Sequence, residues 1–311
     1  RRVRWSDDLG ANGRKRTRRD GRLQLVGEDG QVGRTLLRIG VQHPRQNLHP
    51  RAVERFQQLQ RVRPRLVPDA GQQTEEGDAE RIGVAMEFGN YVSDGAYRSY
   101  RGVDLYIRKD GKWLWAGQAS FAADHKNWDR VADVVKHMAP GEKECMLYLP
   151  LYTELKSCKI CVPEGSKIET MESPFRHKIV FHGSSFTHGI SCTRAGMSYP
   201  MQFMRRTGLQ VIPMGFSGNC KMQPYFADVM EDIDADAFVF DPFSNPNIKM
   251  IRERLEGFVD RMAKAHPDKP LIFQRTIYWE GENFDTGRQR EFQGRRALTD
   301  SLMPILCKRY K

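Results

Sequence analysis

Apolar positions along this chain follow three regimes. From residue 176 to 311, short apolar runs of strand length alternate with longer stretches in which apolar residues recur every three or four positions. This predicts strands at 178–182, 209–214, 237–241 and 270–276, and helices at 198–207, 224–233, 248–265 and 288–309. Strand–helix alternation implies a parallel sheet covered on both faces. Residues 81–172 behave differently. Runs rich in β-branched and aromatic residues at 82–88, 103–108, 113–118, 144–149 and 159–162 are separated by turn clusters, and Asp110-Gly111 forms a hairpin turn between two of them. Such strands without long helices predict a β-sandwich, and 171–175 reads as a linker. Residues 1–80 show no sustained period beyond a short stretch at 52–62.

Composition separates the first regime further. Residues 1–80 hold 16 Arg, one Lys, nine Gln and two aromatics, Trp5 and Phe56, with a net charge of +6. Residues 81–311 hold 18 Arg, 15 Lys and 29 aromatics, net +5. A stretch so poor in apolar side chains cannot bury enough area to offset its ordering entropy. Residues 1–80 are therefore expected to be a disordered, dispensable leader; a second reading is that they are not native coding sequence. Its arginines read as solvated rather than as a grip on nucleic acid. No apolar run reaches the roughly 20 residues of a membrane span, and no apolar signal-peptide core is visible near Arg1. Cys158-Lys159-Ile160-Cys161 is a lone C-x-x-C in a strand-like run, where i and i+3 point to opposite faces. It reads as two small buried hydrophobes rather than as a zinc site. No metal or cofactor is expected.

Candidate chemistry gathers behind the strands of the last regime. His182-Gly183-Ser184-Ser185-Phe186-Thr187-His188-Gly189, Gly215-Phe216-Ser217-Gly218-Asn219 and Asp241-Pro242-Phe243-Ser244-Asn245 each begin where a strand ends. Ligands of open α/β sheets bind beyond the carboxyl ends of the strands, so Ser185, Gly218 and Asn245 are expected on one rim. A serine hydroxyl is a weak nucleophile until a base takes its proton. The oxyanion formed on attack needs donors already aimed at it. The Ser185 N–H, the Gly218 N–H and the Asn245 amide suit that work. Asn247 competes with Asn245 for the last role. Asp241 reads as a buried, hydrogen-bonded carboxylate.

In their order and spacing, Gly183-x-Ser185-x-Thr187-x-Gly189, Gly215-x-x-Gly218-Asn219 and Asn245 resemble the first three blocks of the SGNH (GDSL-type) hydrolases. Gly196-Met197-Ser198-Tyr199-Pro200 and Gly215–Met222 resemble the branch in which Gly-Ser-Ser replaces Gly-Asp-Ser. Gly102-Val103-Asp104-Leu105-Tyr106 resembles the Gly-x-Asp-Leu-Tyr mark of an amino-terminal sandwich found with that branch. The resemblance covers about residues 82–311 and implies a flavodoxin-like three-layer α/β/α hydrolase domain (176–311) behind a β-sandwich accessory domain (81–172). It also implies a serine-dependent esterase or acylhydrolase, with Ser185 as nucleophile and Ser185, Gly218 and Asn245 as the oxyanion hole. The implied substrate is a small acyl ester or an acylated carbohydrate.

The family's fourth block, Asp-x-x-His, supplies the base and its carboxylate, and this sequence contains no such word. The chain therefore reads as lacking its last strand and helix, with strand 271–273 left as an unpaired edge and activity impaired. His266 is expected at the opposite edge of the sheet from Ser185. His182 and His188 are close in sequence to the serine, but such neighbours more often pack. Two other readings stay open: a non-catalytic glycan- or ligand-binding protein, with Trp113, Trp115 and Trp128 as candidates to stack on sugars, and a flavodoxin-like phosphate or nucleotide binder using 183–189 at a helix N-terminus.

Overall fold

The computed structural model describes residues 23–26, 36–42, 65–66, 80–91, 97–122, 124–164 and 166–310. Two five-stranded sheets form the first half. One runs in the order β3 (Arg65–Leu66), β1 (Leu23–Val26), β9 (Thr153–Cys161), β4 (Glu80–Tyr91), β7 (Ala132–Met138). The other runs β10 (Lys167–Thr170), β2 (Leu36–Gln42), β8 (Lys143–Tyr148), β5 (Gly102–Lys109), β6 (Lys112–Ser120). Their inner faces enclose one core that includes Ile82, Val84, Met86, Val103, Leu105, Cys145, Leu147, Cys158 and Ile160. Asp110 and Gly111, at φ 50° and 74°, turn the β5–β6 hairpin. Cys158 packs in this core with Ile160 and Val162 while Cys161, on the other face, is also buried. Burial pushes the Cys158 thiol up to about 12.

The expectation of disorder at residues 1–80 does not hold for three segments. β1 pairs with β9, β2 with β8 and β10, and β3 with β1, all parallel. Leu36-Leu37-Arg38-Ile39-Gly40-Val41 is apolar enough to join a sheet, although the surrounding composition is not. The remainder of 1–79 lies outside the described residues, as does the stretch at 52–62.

The second half is a four-stranded parallel sheet in the order β12 (Leu209–Gly215), β11 (Arg176–Gly183), β13 (Ala237–Asp241), β14 (Leu271–Phe273). Its strands are continuous apolar runs because both faces are buried. Val180, Ile212, Met214, Phe238 and Phe240 face α4 (Pro224–Met230), α5 (Ile248–Ala265) and α6 (Thr286–Arg309) through Phe226, Ile251, Leu255, Phe258 and Leu306. Ile179, Phe181, Val211 and Val239 face the other way. They meet Met201 and Met204 of α3 (Tyr199–Thr207), together with Tyr106, Met146, Tyr148, Leu151 and Tyr152 of the sandwich. The sandwich thus shares the second face of the sheet with α3. β14 is the edge strand, with Ile272 half exposed. Among the described residues no helix is long and apolar enough to cross a membrane.

Candidate active site

The rim of the parallel sheet follows from its register. Gly183 lies opposite Gly215 on one side and Asp241 on the other, so the loops after β11, β12 and β13 leave the sheet at one level. The first loop closes at once into α2 (Ser185–His188), a single turn capped by Ser184, whose Oγ accepts from the Phe186 N–H at 3.3 Å. The tight turn demands glycine at Gly183, where a Cβ would stand 2.8 Å from Asp241 Cβ and collide with Thr187.

Asp241 organises the floor. Its Oδ2 accepts from the Ser184 N–H at 3.1 Å, from the Ser184 hydroxyl and from Thr187 Oγ1 at 3.4 Å. Its Oδ1 accepts from Ser244 Oγ at 2.7 Å. Burial pushes this carboxyl up, opposed by the hydrogen bonds from Ser184, Ser244 and Thr187. Thr187 Oγ1 also meets Tyr199 Oη at 2.9 Å, and Tyr199 donates to Gln274 Oε1 at 3.0 Å. Ser184 is therefore buried and fully engaged. Ser185 is half-buried, and among the described residues neither its N–H nor its hydroxyl is committed to a hydrogen bond.

The second loop turns at Gly218, φ 69°. Asn219 N–H and Cys220 N–H both return to the Phe216 carbonyl, at 3.0 and 3.2 Å, while the Gly218 N–H has no partner among the described residues. Cys220 N–H also donates to Asn245 Oδ1 at 3.2 Å. An N–H can only donate, so the oxygen of the Asn245 amide faces Cys220 and its NH2 end is turned away from that bond. Asn247 is employed otherwise: it caps α5, accepting from the Met250 N–H at 2.9 Å.

The neighbouring histidines are packed. His182 is buried, and its Nδ1 donates to the Met214 carbonyl at 3.2 Å, which leaves Nε2 to face Cys220 Sγ at 3.5 Å. Phe216, Phe226, Phe240 and Phe258 surround its ring. Burial lowers its pKa to about 4. His188 is buried and donates from Nε2 to the Leu151 carbonyl at 2.7 Å. His266 ends α5, donates to the Met230 carbonyl at 3.0 Å and lies against Phe238, at the opposite end of β13 from Asp241.

The three tryptophans of the sandwich each have neighbours. Trp113 stacks on Phe175 and Trp128 packs edge-on to Phe88. Trp115 lies under the Arg194 guanidinium and donates from Nε1 to Asp104 Oδ1 at 2.6 Å. Asp104, from the Gly-x-Asp-Leu-Tyr word, is buried and also accepts from Arg194 Nε at 3.3 Å and Gly196 N–H at 3.1 Å. Burial raises its pKa, opposed by the Arg194 charge. Sequence reasoning gave no role to Ser184, Thr187, Tyr199, Ser244 or Gln274 and did not reach the contact between Tyr152 and Ser217. Thr187 and Tyr199 stood in motif words and Ser184 and Ser244 beside them, but nothing in the sequence pairs them.

A hydroxyl beside uncommitted N–H donors suits addition to an ester carbonyl. Known proteins match this chain accordingly. Residues 176–310 match the GDSL-like lipase/acylhydrolase family, and residues 77–168 match the domain described as the N-terminus of Esterase_SGNH_hydro-type. A solved structure described as a GDSL-like lipase from Bacteroides ovatus is 34% identical, with a TM-score of 0.66, over 75% of this chain and 68% of that one. The salicylyl-acyltransferase SsfX3 from a tetracycline biosynthetic pathway is 18% identical, with a TM-score of 0.52, over 74% of this chain and 66% of its own, a likeness of fold. No curated protein matches the chain. By the identity and the coverage of the Bacteroides structure, this chain belongs to the GDSL-like lipase/acylhydrolase family of esterase-type hydrolases.

Proposed function

We propose that this protein is a serine-dependent ester hydrolase whose nucleophile is Ser185. In this reading Ser185 N–H, Gly218 N–H and Asn245 Nδ2 bind the oxyanion, and the substrate is a small acyl ester or an acylated carbohydrate. We further take 81–172 as the body of the accessory sandwich, to whose sheets β1, β2 and β3 add strands from earlier in the chain, and 176–311 as the hydrolase domain. The observation that carries the reading is a contrast of neighbours. Ser184 N–H, Asn219 N–H, Cys220 N–H and the Asn245 oxygen are all bonded within the protein. Ser185 N–H, Gly218 N–H and Asn245 Nδ2, on three loops leaving adjacent strands, have no partner among the described residues. Ser185 and Asn245 are half-buried, where donors are normally satisfied, and Gly218 is exposed beside them, so three donors left open on one rim support an external acceptor.

In the proposed reaction Ser185 Oγ adds to the ester carbonyl carbon, and the carbonyl π electrons move onto oxygen, where the three donors meet the new charge. Collapse breaks the bond to the alcohol and leaves an acyl-serine that water hydrolyses. With no Asp-x-x-His in this sequence, solvent water takes the Ser185 proton and supplies one to the departing alcohol oxygen. A general base contributes about 100- to 10,000-fold, so this chain is expected to turn over p-nitrophenyl acetate slowly. A version extended through a family-like Asp-x-x-His segment should be faster by that factor. Equal rates for the two would refute the impairment. A serine-directed fluorophosphonate should label Ser185, as read by peptide mass spectrometry, and a label on Ser184 would refute the nucleophile assignment.

A further inference from the structure

The sandwich meets the loop that carries Gly218 at Tyr152. Leu151 and Tyr152 lie between β8 and β9. Tyr152 Oη and Ser217 Oγ share a hydrogen bond of 2.8 Å. The Tyr152 ring stacks on the His188 imidazole, centroids 3.9 Å apart and planes at 21°. His188 in turn donates to the Leu151 carbonyl, so phenol, imidazole and main chain lock one another. Tyr152 is 2% exposed and His188 1%. Gly189 admits this contact, since a Cβ there would stand 2.7 Å from Leu151 Cδ1.

Other anchors of the 216–220 loop lie on the parallel sheet and the loops that leave it. Phe216 N–H donates to the Gly183 carbonyl at 2.8 Å, Cys220 N–H to Asn245, and Cys220 Sγ to the Asp241 carbonyl at 3.6 Å. These hold the two ends of the turn. Its middle carries two side-chain bonds: Asn219 Nδ2 donates to the Ser217 carbonyl at 3.0 Å from within the turn, and the Tyr152–Ser217 bond ties the residue whose carbonyl forms the peptide bond to the Gly218 N–H to the sandwich. That peptide sits before a glycine at positive φ, where backbone rotation meets little steric resistance. An oxyanion donor works only when it is fixed about 2.7–3.1 Å from the charge.

We propose that Tyr152 is a positioning residue of the hydrolase site: through Ser217 it fixes the peptide that presents the Gly218 N–H, so the sandwich forms part of the catalytic apparatus. The inference rests on the reading of Gly218 as an oxyanion donor. Tyr152 is too buried to touch substrate, and its effect passes through the loop.

Tyr152→Phe tests it, because the stacked ring stays and only the hydroxyl goes. Hydrogen exchange followed by mass spectrometry on peptides covering 215–222 should be several-fold faster in Tyr152→Phe. Ser217→Ala should match it, and the double variant should be no faster than either, since both remove one bond. The maximal rate of fluorophosphonate labelling at Ser185 should fall about 10-fold in each variant, part of the 100- to 1000-fold carried by a whole donor. The reagent's apparent binding constant and the melting temperature should change little. Unchanged exchange at 215–222, or effects that add in the double variant, would overturn the proposal. Absence of labelling at Ser185 both in the unaltered chain and in the version extended through an Asp-x-x-His segment would refute the Ser185 reading instead, and the exchange result alone would then decide the role of Tyr152.

Discussion

The sandwich and the parallel sheet bury their apolar residues in opposite ways. The sandwich keeps one inner core between two sheets; of its outer positions, Leu114 is half exposed while Tyr106, Met146 and Tyr148 are buried against the parallel sheet. The parallel sheet has no outer face at all. One side is closed by helices of its own half and the other by α3 and the sandwich. The difference teaches that the two halves are unequal partners. The sandwich closes its own core, whereas the second face of the catalytic sheet would be open without it. Asp104 sits at that joint, bonded to Arg194 and Gly196 across the boundary.

The sharpest way to break this comparison is to remove the joint. Asp104→Ala would leave Arg194 without its carboxylate and the Trp115 and Gly196 N–H groups without an acceptor. Removing one partner of a buried pair costs about 3–5 kcal/mol, and the partial exposure of Arg194 favours the lower end. Denaturant unfolding followed by tryptophan fluorescence and by circular dichroism should shift together in a single transition. Two separated transitions, with the parallel sheet unaffected, would mean that the halves are independent.

A second test addresses the helix-covered face, where His182 is sealed among phenylalanines. Its folded pKa, lowered to about 4, lies below the ordinary value of 6.5. The unfolded chain therefore binds the proton more readily between those values. The stabilising effect of a neutral His182 is complete above about pH 6.5 and is lost as pH falls toward 4. At roughly 1.4 kcal/mol per unit this amounts to about 3 kcal/mol. Asp241, with a raised pKa, acts in the opposite sense at acid pH, so the comparison should be made within one pair of proteins. His182→Leu should flatten the fall in melting temperature between pH 6.5 and 4. An unchanged slope would show that the ring is not sealed.

Smaller effects probe the rim. A Cβ at Gly215 would collide with the His188 backbone. Gly215→Ala should destabilise by about 1–3 kcal/mol through forced backbone movement and slow Ser185 labelling. Asn247→Ala should cost about 1 kcal/mol through loss of the α5 cap and leave labelling unchanged, whereas Asn245→Ala should slow labelling. Equal effects of the two on labelling would undo the distinction between them.

Much of this molecule was legible in its sequence. Periodicity gave α5 at its observed ends and the four parallel strands in order, because a strand buried on both faces is a run of apolar residues in any context. β7 escaped notice: its burial alternates weakly and His137 breaks it at φ 57°. β1, β2 and β3 escaped because their neighbours are polar, while a strand is decided by whether an edge is available to pair with it. The glycine-serine words marked the rim, since only a few residue types fit a turn as tight as that at Gly183.

The sequence by itself determined which residues are able to do chemistry and at which edge of the sheet they stand. Only the tertiary structure decided between neighbours of the same type. Ser184 is spent on Asp241 and Ser185 is not; Asn247 caps a helix and Asn245 faces Cys220; His182 and His188 turn into packed surroundings. The physical reason is that a hydrogen bond is satisfied by whatever lies within about 3 Å, and here, apart from the local cap at Asn247, the deciding partners are 25 to 57 residues away in the chain.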